Sequence, residues 1–394
     1  MCKVSVILPS YNVAQYIREC LESVINQTLP DIELLCVDAE SSDGTLEILR
    51  EYAQNDTRIR VILSDRKSYG YQMNLGLKAA RGEYIGIVET DDYIPPTMYD
   101  DLYALAMRER AEIVKADFYR FTEEGTTITR TYNRLDPTDS FYGRILDPSH
   151  TPQVFRFIMN TWSGIYLRSF LLKNEIWHHE TDGASYQDNG FWFKTFCCAK
   201  RIYFVGKPYY MNRRDNASSS VLNPGKVYCM SAEWAYIYDW LRQNLQRFKA
   251  FQGSYALRKY HSLLFTYQRI APRFRESFIR HFSEEMRLMI ESNEYDRSAF
   301  TSYEWRRLHM IAYTPELYHA ICSTGCYHRY PYQWITGGLH GHEALCLLIR
   351  KADRWVNRLE LFFSFIRYEG LLQTLHHIRW KNKRDYIDKG NAHG

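Results

Sequence analysis

No apolar run in this 394-residue chain approaches the roughly 20 residues that span a bilayer. The longest, Leu345–Ile349 and Leu361–Ile366, fall far short, so no transmembrane helix is expected. The first residues, Met1-Cys2-Lys3-Val4-Ser5-Val6-Ile7-Leu8-Pro9, lack a charged lead-in, a sustained apolar core and a small-residue cleavage site. They start directly on a strand, and the expected location is cytoplasmic. Cysteines number nine, an odd count without a framework, and Cys2, Cys20 and Cys36 sit inside apolar patterns as small hydrophobes, so disulfides are not expected. Cys322, Cys326 and His328 make half a zinc set, with no second pair at zinc spacing. A net charge of only +4 and the lack of a recognisable binding module exclude nucleic acid as the expected partner. Plentiful instead are hydrophobic residues at 45%, enough for a proper core, and 32 Tyr and 9 Trp, which serve equally as packing bulk and as stacking platforms.

The N-terminal third alternates. Lys3–Pro9 is β-rich and ends in Pro9-Ser10-Tyr11-Asn12; Ile17, Leu21, Val24 and Ile25 then recur at helical spacing. Ile32–Asp38 is a second strand, followed by the polar loop Ala39–Gly44 and a helix marked by Leu46, Ile48, Leu49 and Tyr52. Ile59–Leu63, a helix over Tyr71–Ala80 and the strand Tyr84–Glu89 continue the pattern. Short strands joined by helices predict a parallel sheet with helices on both faces, and ligands bind beyond the carboxyl ends of such strands. Three polar clusters stand there: Pro9–Asn12, Asp38–Asp43 and Glu89-Thr90-Asp91-Asp92.

Two carboxylates directly after a buried strand repel one another unless a partner intervenes, and an oxygen-bound divalent cation is such a partner. Asp91 and Asp92 therefore point to Mg²⁺ or Mn²⁺, which would also neutralise a departing diphosphate. The alternative is that Asp92 caps a helix opened by Pro95-Pro96.

Val4–Asn12, Gln27-Thr28, Val37-Asp38 through Ser42-Asp43-Gly44-Thr45, Arg81–Ile85 and Asp91-Asp92, in this order, resemble the family 2 glycosyltransferases. The resemblance is strong over residues 3–120 and recognisable to about 220. It implies a GT-A, Rossmann-like α/β fold with a mostly parallel sheet flanked by helices. It also implies inverting, metal-dependent transfer from a nucleotide-diphosphate sugar to a glycan or lipid-linked acceptor, in surface polysaccharide synthesis. Carried over residue by residue, Pro9 and Tyr11 line the base pocket and Asp38 meets the base or ribose. Asp91 contacts ribose and metal, and Asp92 is the principal metal ligand. The chain departs from the pattern at Ala39-Glu40, where Glu40 either takes over part of the base contact or alters it. In Lys67–Asn74 the clear matches are Asn74 and, just beyond, Gly76; Lys67 or Arg66 is placed to meet the diphosphate, or else is surface charge.

A strand over Ile113–Phe118, a hairpin around Gly125 and an irregular stretch through Asp136-Pro137 and Asp147-Pro148 should shape the acceptor side. Trp162 is either a sugar platform or core. Within Gly183–Phe193, Asp188 matches the family's general base, with Asp182 and Glu180 as competitors and a capping role for the helix from Gly190 as the alternative. The acceptor hydroxyl must lose a proton as it attacks, which is why one carboxylate is needed here. Ile202–Val205 reads as a strand, and Pro208–Ser220 resembles a late loop that orders over the donor, with Arg213 or Arg214 on phosphate oxygens and Ser218–Ser220 adding hydroxyls.

From Val227 the pattern is helical. Residues 344–394 carry 10 Lys plus Arg against 5 Asp plus Glu, along an apolar stripe from Leu345 to Ile366. Such a helix lies on anionic lipid, which would make the protein peripheral to the inner membrane face, or packs on protein. The expected division is 1–222 for the α/β domain, with 1–118 its nucleotide half and 119–222 its acceptor half, and 223–394 for an α-helical C-terminal extension. Two other functions stay open: a non-catalytic sugar-nucleotide-binding scaffold, and a nucleotidyltransferase, although Pro9–Asn12 is no phosphate loop.

Overall fold

The structure, a computed structural model, describes residues 2–217, 219 and 223–323. The half zinc set beyond Cys322, the basic stripe of residues 344–394, Ser218 and Ser220 lie outside the described residues.

The α/β expectation holds. β1 (Val4–Ser10), β2 (Ile32–Asp38), β3 (Ile59–Leu63) and β4 (Tyr84–Ile87) are parallel, ordered β3-β2-β1-β4, with α1 (Ile17–Ile25), α2 (Thr45–Asn55) and α3 (Tyr69–Ala79) as crossovers. β1 and β2 are buried along their whole length, as strands covered on both faces must be. Register places Ser10 beside Asp38, Asp38 beside Leu63 and Ile7 beside Ile87, so the polar clusters do share one edge.

Past α4 (Met98–Glu109) the sheet turns mixed. β5 (Ile113–Glu124) forms the expected hairpin with β6 (Thr127–Asn133), while β8 (Gly164–Leu167) runs antiparallel between β4 and β5. β9 (Ile202–Arg213) pairs parallel to β5, and the short β7 (Ile145–Leu146) closes that edge. Here the sequence reading is corrected: Pro208–Arg213 is strand rather than loop. The outer half of β5 supplies the partners, Tyr119 for Met211 and Phe121 for Arg213, after two register shifts between Ala116 and Tyr119. α5 (Arg168–Lys173), α6 (Gln187–Cys198) and α7 (Cys229–Arg242) complete the first of two compact units, which ends at Phe251. Its boundary falls later than residue 222 because α7 buries Trp234 against Phe193 of α6.

The second unit begins at Gln252 and its described part is helical. It holds most of α8 (Leu245–Arg269), then α9 (Pro272–Glu291), α10 (Ser302–Tyr313) and α11 (Pro315–Ser323). Thr301 and Glu304 form a reciprocal cap at the start of α10, and Lys259 pairs with Glu285 at 2.7 Å. Among the described residues, no helix is long and apolar enough to cross a membrane.

Candidate active site

β4 delivers Glu89, Thr90, Asp91 and Asp92 to the carboxyl edge of the sheet, and β9 reaches across to meet them. Tyr210 Oη accepts the Glu89 N–H at 3.0 Å, and the Arg213 N–H donates to Asp92 Oδ1 at 2.7 Å. Asn212 Nδ2 adds a bond to Asp92 Oδ2 at 3.1 Å. Asp92 is 1% exposed, and burial followed by the charge of Asp91 pushes its carboxyl well above the carboxylate range. Neither sequence-based role fits this placement well. Asp92 does not cap α4, whose N-cap is Thr97, and both its oxygens face β9 donors. The half-buried carboxylate is that of Asp91, held on one oxygen by Asn216 at 2.8 Å. Among the described residues no three His, Cys, Asp or Glu side chains group to hold a metal. A cation shared with a diphosphate requires only one or two protein carboxylates, and Asp91 fits that demand.

On the donor side, Tyr11 is 43% exposed, and Lys67 lies 4.9 Å from its ring centroid while donating to its Oη at 3.1 Å. Asp38 is buried, with Ser41 donating to both of its oxygens, from its N–H at 2.9 Å and its Oγ at 2.7 Å. Glu40 is exposed, and Asn12 is bonded across the loops to Ser41 and Ser42, both at 2.9 Å; Glu40 and Asn12 have left-handed backbone, φ 55° and 52°. For a glutamate that conformation is costly, and such residues concentrate at ligand-facing loops. Arg214 is exposed beside Arg120, whose guanidinium is lowered first by burial and then by Arg214.

Three expected donor residues are instead consumed by the scaffold. Pro9 is buried within β1, its carbonyl accepting from Thr90 Oγ1 at 2.9 Å. Asn74, 3% exposed, uses its whole amide on the chain before α6: Nδ2 donates to His178 O at 3.0 Å and Glu180 Oε1 at 2.9 Å, and Oδ1 accepts from His178 N at 2.9 Å. Asn74→Ala should therefore destabilise the protein by about 2–3 kcal/mol in urea unfolding. Nucleotide affinity should stay within about twofold by calorimetry if this amide is structural. Arg213 is enclosed by Glu19 at 2.5 Å, Glu123 at 2.8 Å and Asp215 at 3.6 Å, with its Nε on Asp91 O at 3.0 Å. Its guanidinium is thus committed to carboxylates rather than left for a phosphate.

The residues expected on the acceptor side gather on the start of α6. Asp188 lies in its first turn, two residues before Gly190. Burial first, then the charge of Glu233, lifts the Asp188 carboxyl from 3.8 to about 6. Of its competitors, Glu180 is tied to Asn74 and to Arg66 at 3.5 Å, and Asp182 is exposed. Trp162 lies against Tyr210, ring centroids 4.2 Å apart, and packs edge-on to Phe118, which fits a core role.

Glu89 joins the two sides, and the sequence reading noted it only as part of a polar cluster. It accepts from Tyr69 Oη at 2.7 Å. Burial pushes its carboxyl up to about 8, with the charges of both Asp91 and Asp188 adding to the rise. Glu233 was missed as well: it comes from α7, beyond the recognisable motifs, where one of two acidic residues in an aromatic helix carries no local signal. It accepts from the Gly190 N–H at 3.0 Å and from His179 Nδ1 at 2.8 Å.

Residues 5–170 match the profile of Glycosyl transferase family 2. An uncharacterized glycosyltransferase of Bacillus subtilis, EpsJ, is 34% identical over 218 residues, 54% of this chain and 61% of that protein. The poly(ribitol-phosphate) beta-glucosyltransferase of Bacillus spizizenii is 29% identical over 228 residues, 56% of this chain and 34% of that one. The chain thus spans less than two thirds of the length of either relative. S. aureus TarS 1-349, solved with UDP-GlcNAc, superposes with a TM-score of 0.61 at 20% identity, over 82% of this chain and 91% of that one. At that identity the likeness is one of fold.

Proposed function

Because residues 5–170 form a family 2 glycosyltransferase domain of the GT-A fold, we propose that this protein transfers a sugar, with inversion, from a nucleoside diphosphate to a hydroxyl of a glycan or lipid-linked acceptor. A place in surface polysaccharide synthesis is proposed from the likeness to the poly(ribitol-phosphate) enzyme. The observation that carries the reading is Glu89, whose half-buried carboxyl accepts from Tyr69 Oη at 2.7 Å and feels both Asp91 on the donor side and Asp188 on the acceptor side. Donor and acceptor carboxylates therefore converge on one place.

Tyr11 offers its exposed face to a base, and Asp38 and the Glu40 loop lie at the adjacent strand end. Asp91 would hold Mg²⁺ or Mn²⁺ together with the diphosphate, and the bound cation would offset negative charge on the leaving group. Asp188 takes the proton of the acceptor hydroxyl as its oxygen bonds to the anomeric carbon and the bond to the diphosphate breaks. A carboxyl near 6 is charged at neutral pH yet basic enough to accept that proton.

The test of the donor half is a thermal-shift series with UDP, GDP, CDP and dTDP, each with and without Mn²⁺. One diphosphate should raise the melting temperature by several degrees only when Mn²⁺ is present, since a ligand of the native state adds its binding free energy to stability. Asp91→Asn should abolish that metal-dependent rise. A wild-type protein that shifts with none of the four would count against the donor site.

A further inference from the structure

Glu233 lies outside the segment that matches the family, yet it is built into the start of the helix that carries Asp188. α6 has no side-chain cap: its N-cap is Tyr186, in left-handed backbone at φ 69°. The Gly190 N–H, at the end of the first turn of α6, donates to Glu233 Oε1 at 3.0 Å. The fit is tight, because a Cβ at Gly190 would stand 2.2 Å from that same oxygen. The other oxygen is fixed by His179 Nδ1 at 2.8 Å, and the His179 ring lies flat on Tyr236, one turn along α7, with centroids 4.0 Å apart. Glu233 is 1% exposed, so little water stands between its carboxyl group and its neighbours.

We propose that Glu233 is a positioning residue for the general base: it holds the first turn of α6 through the Gly190 N–H and presents a second carboxylate to Asp188. The inference rests on the reading of Asp188 as that base. The chemistry is consistent. A helix N-terminus draws down the proton affinity of a carboxylate in its first turn, which would make Asp188 a poor base at neutral pH. A buried like charge beside it acts the other way. The remaining groups that bear on Asp188 are Tyr69 from α3, Glu89 after β4 and Asn189 on its own helix. Lys194, further along α6, donates to Trp177 O and to Tyr236 Oη at 3.0 Å, and its charge interacts with Glu233.

The experiment is a ¹³C NMR titration of the full chain labelled at aspartate carboxyl carbons, with Asp188→Asn identifying the Asp188 resonance by its loss. The wild-type midpoint should fall at about 6. Glu233→Gln keeps an acceptor for the Gly190 N–H and removes the charge, and should lower the midpoint by about one pH unit. Gly190→Ala, which displaces Glu233 without altering its charge, should lower it in the same direction. A wild-type midpoint near 4, or midpoints in both variants within about 0.2 of the wild type, would overturn the proposal. The base reading itself stands or falls separately, on whether Asp188→Asn still transfers sugar.

Discussion

Asp188→Asn should lower sugar transfer by about 10²–10⁴-fold while metal-dependent nucleotide binding stays within a fewfold of wild type. The substitution preserves the shape of the first turn of α6 and removes only the capacity to take a proton. Transfer by the wild type should fall on the acid side of about pH 6, where the carboxyl becomes protonated, and reach a plateau above it. Unchanged transfer in the variant would remove Asp188 as base. Metal-dependent nucleotide binding without turnover in the wild type, whatever acceptor is offered, would leave the scaffold reading standing.

The same residue should show its cost in stability. Its folded carboxyl, raised from 3.8 to about 6, binds its proton more tightly than in the unfolded chain. The unfolded state therefore holds fewer protons between those values, and stability is lost as pH rises through that window. Asp188→Asn should accordingly be more stable than wild type by about 1–3 kcal/mol at pH 7.5, with the difference vanishing near pH 4. Chemical denaturation at the two pH values reads both numbers. Equal stability at pH 7.5 would show that the carboxyl titrates normally and is not set up as a base.

Arg213→Met should destabilise the first unit by about 3 kcal/mol and weaken metal-dependent nucleotide binding at the same time. Arg213 is 6% exposed, and its removal leaves Glu19, Glu123 and Asp215 facing each other without a cation. It also releases the Asp91 carbonyl, so the strand end carrying the donor carboxylates loses a tether. Arg213→Lys should recover part of the stability, because one ammonium cannot reproduce the fork that serves three carboxylates and a carbonyl. A variant of full stability that binds nucleotide poorly would return Arg213 to the phosphate role suggested by the sequence.

The contrast between Arg213 and Tyr11 shows where sequence reading reached its limit. Tyr11 follows a strand whose buried pattern and terminating Pro9-Ser10 are local, so its exposed place at the edge could be read directly. Arg213 sits in a segment whose strand character comes from pairing with β5, about ninety residues earlier in the chain, and no local period announces that pairing. Asn74 misled for a similar reason: an amide matching a motif looks the same whether it meets a ligand or the backbone of His178.

What the sequence determined by itself was the alternation of β1–β4 with helices, the hairpin after β5 and the convergence of Pro9–Asn12, Asp38–Asp43 and Glu89–Asp92 at one edge. These follow from hydrophobic period and from the handedness of parallel crossovers, both local rules. The tertiary structure alone decided what each of those polar groups meets. It turned Asp92 toward β9, closed three carboxylates on Arg213, lifted Glu89 and Asp188 by burial, and brought Glu233 from α7 to the start of α6. Burial and charge proximity depend on distances between segments far apart in the chain, and those distances exist only once the chain has folded.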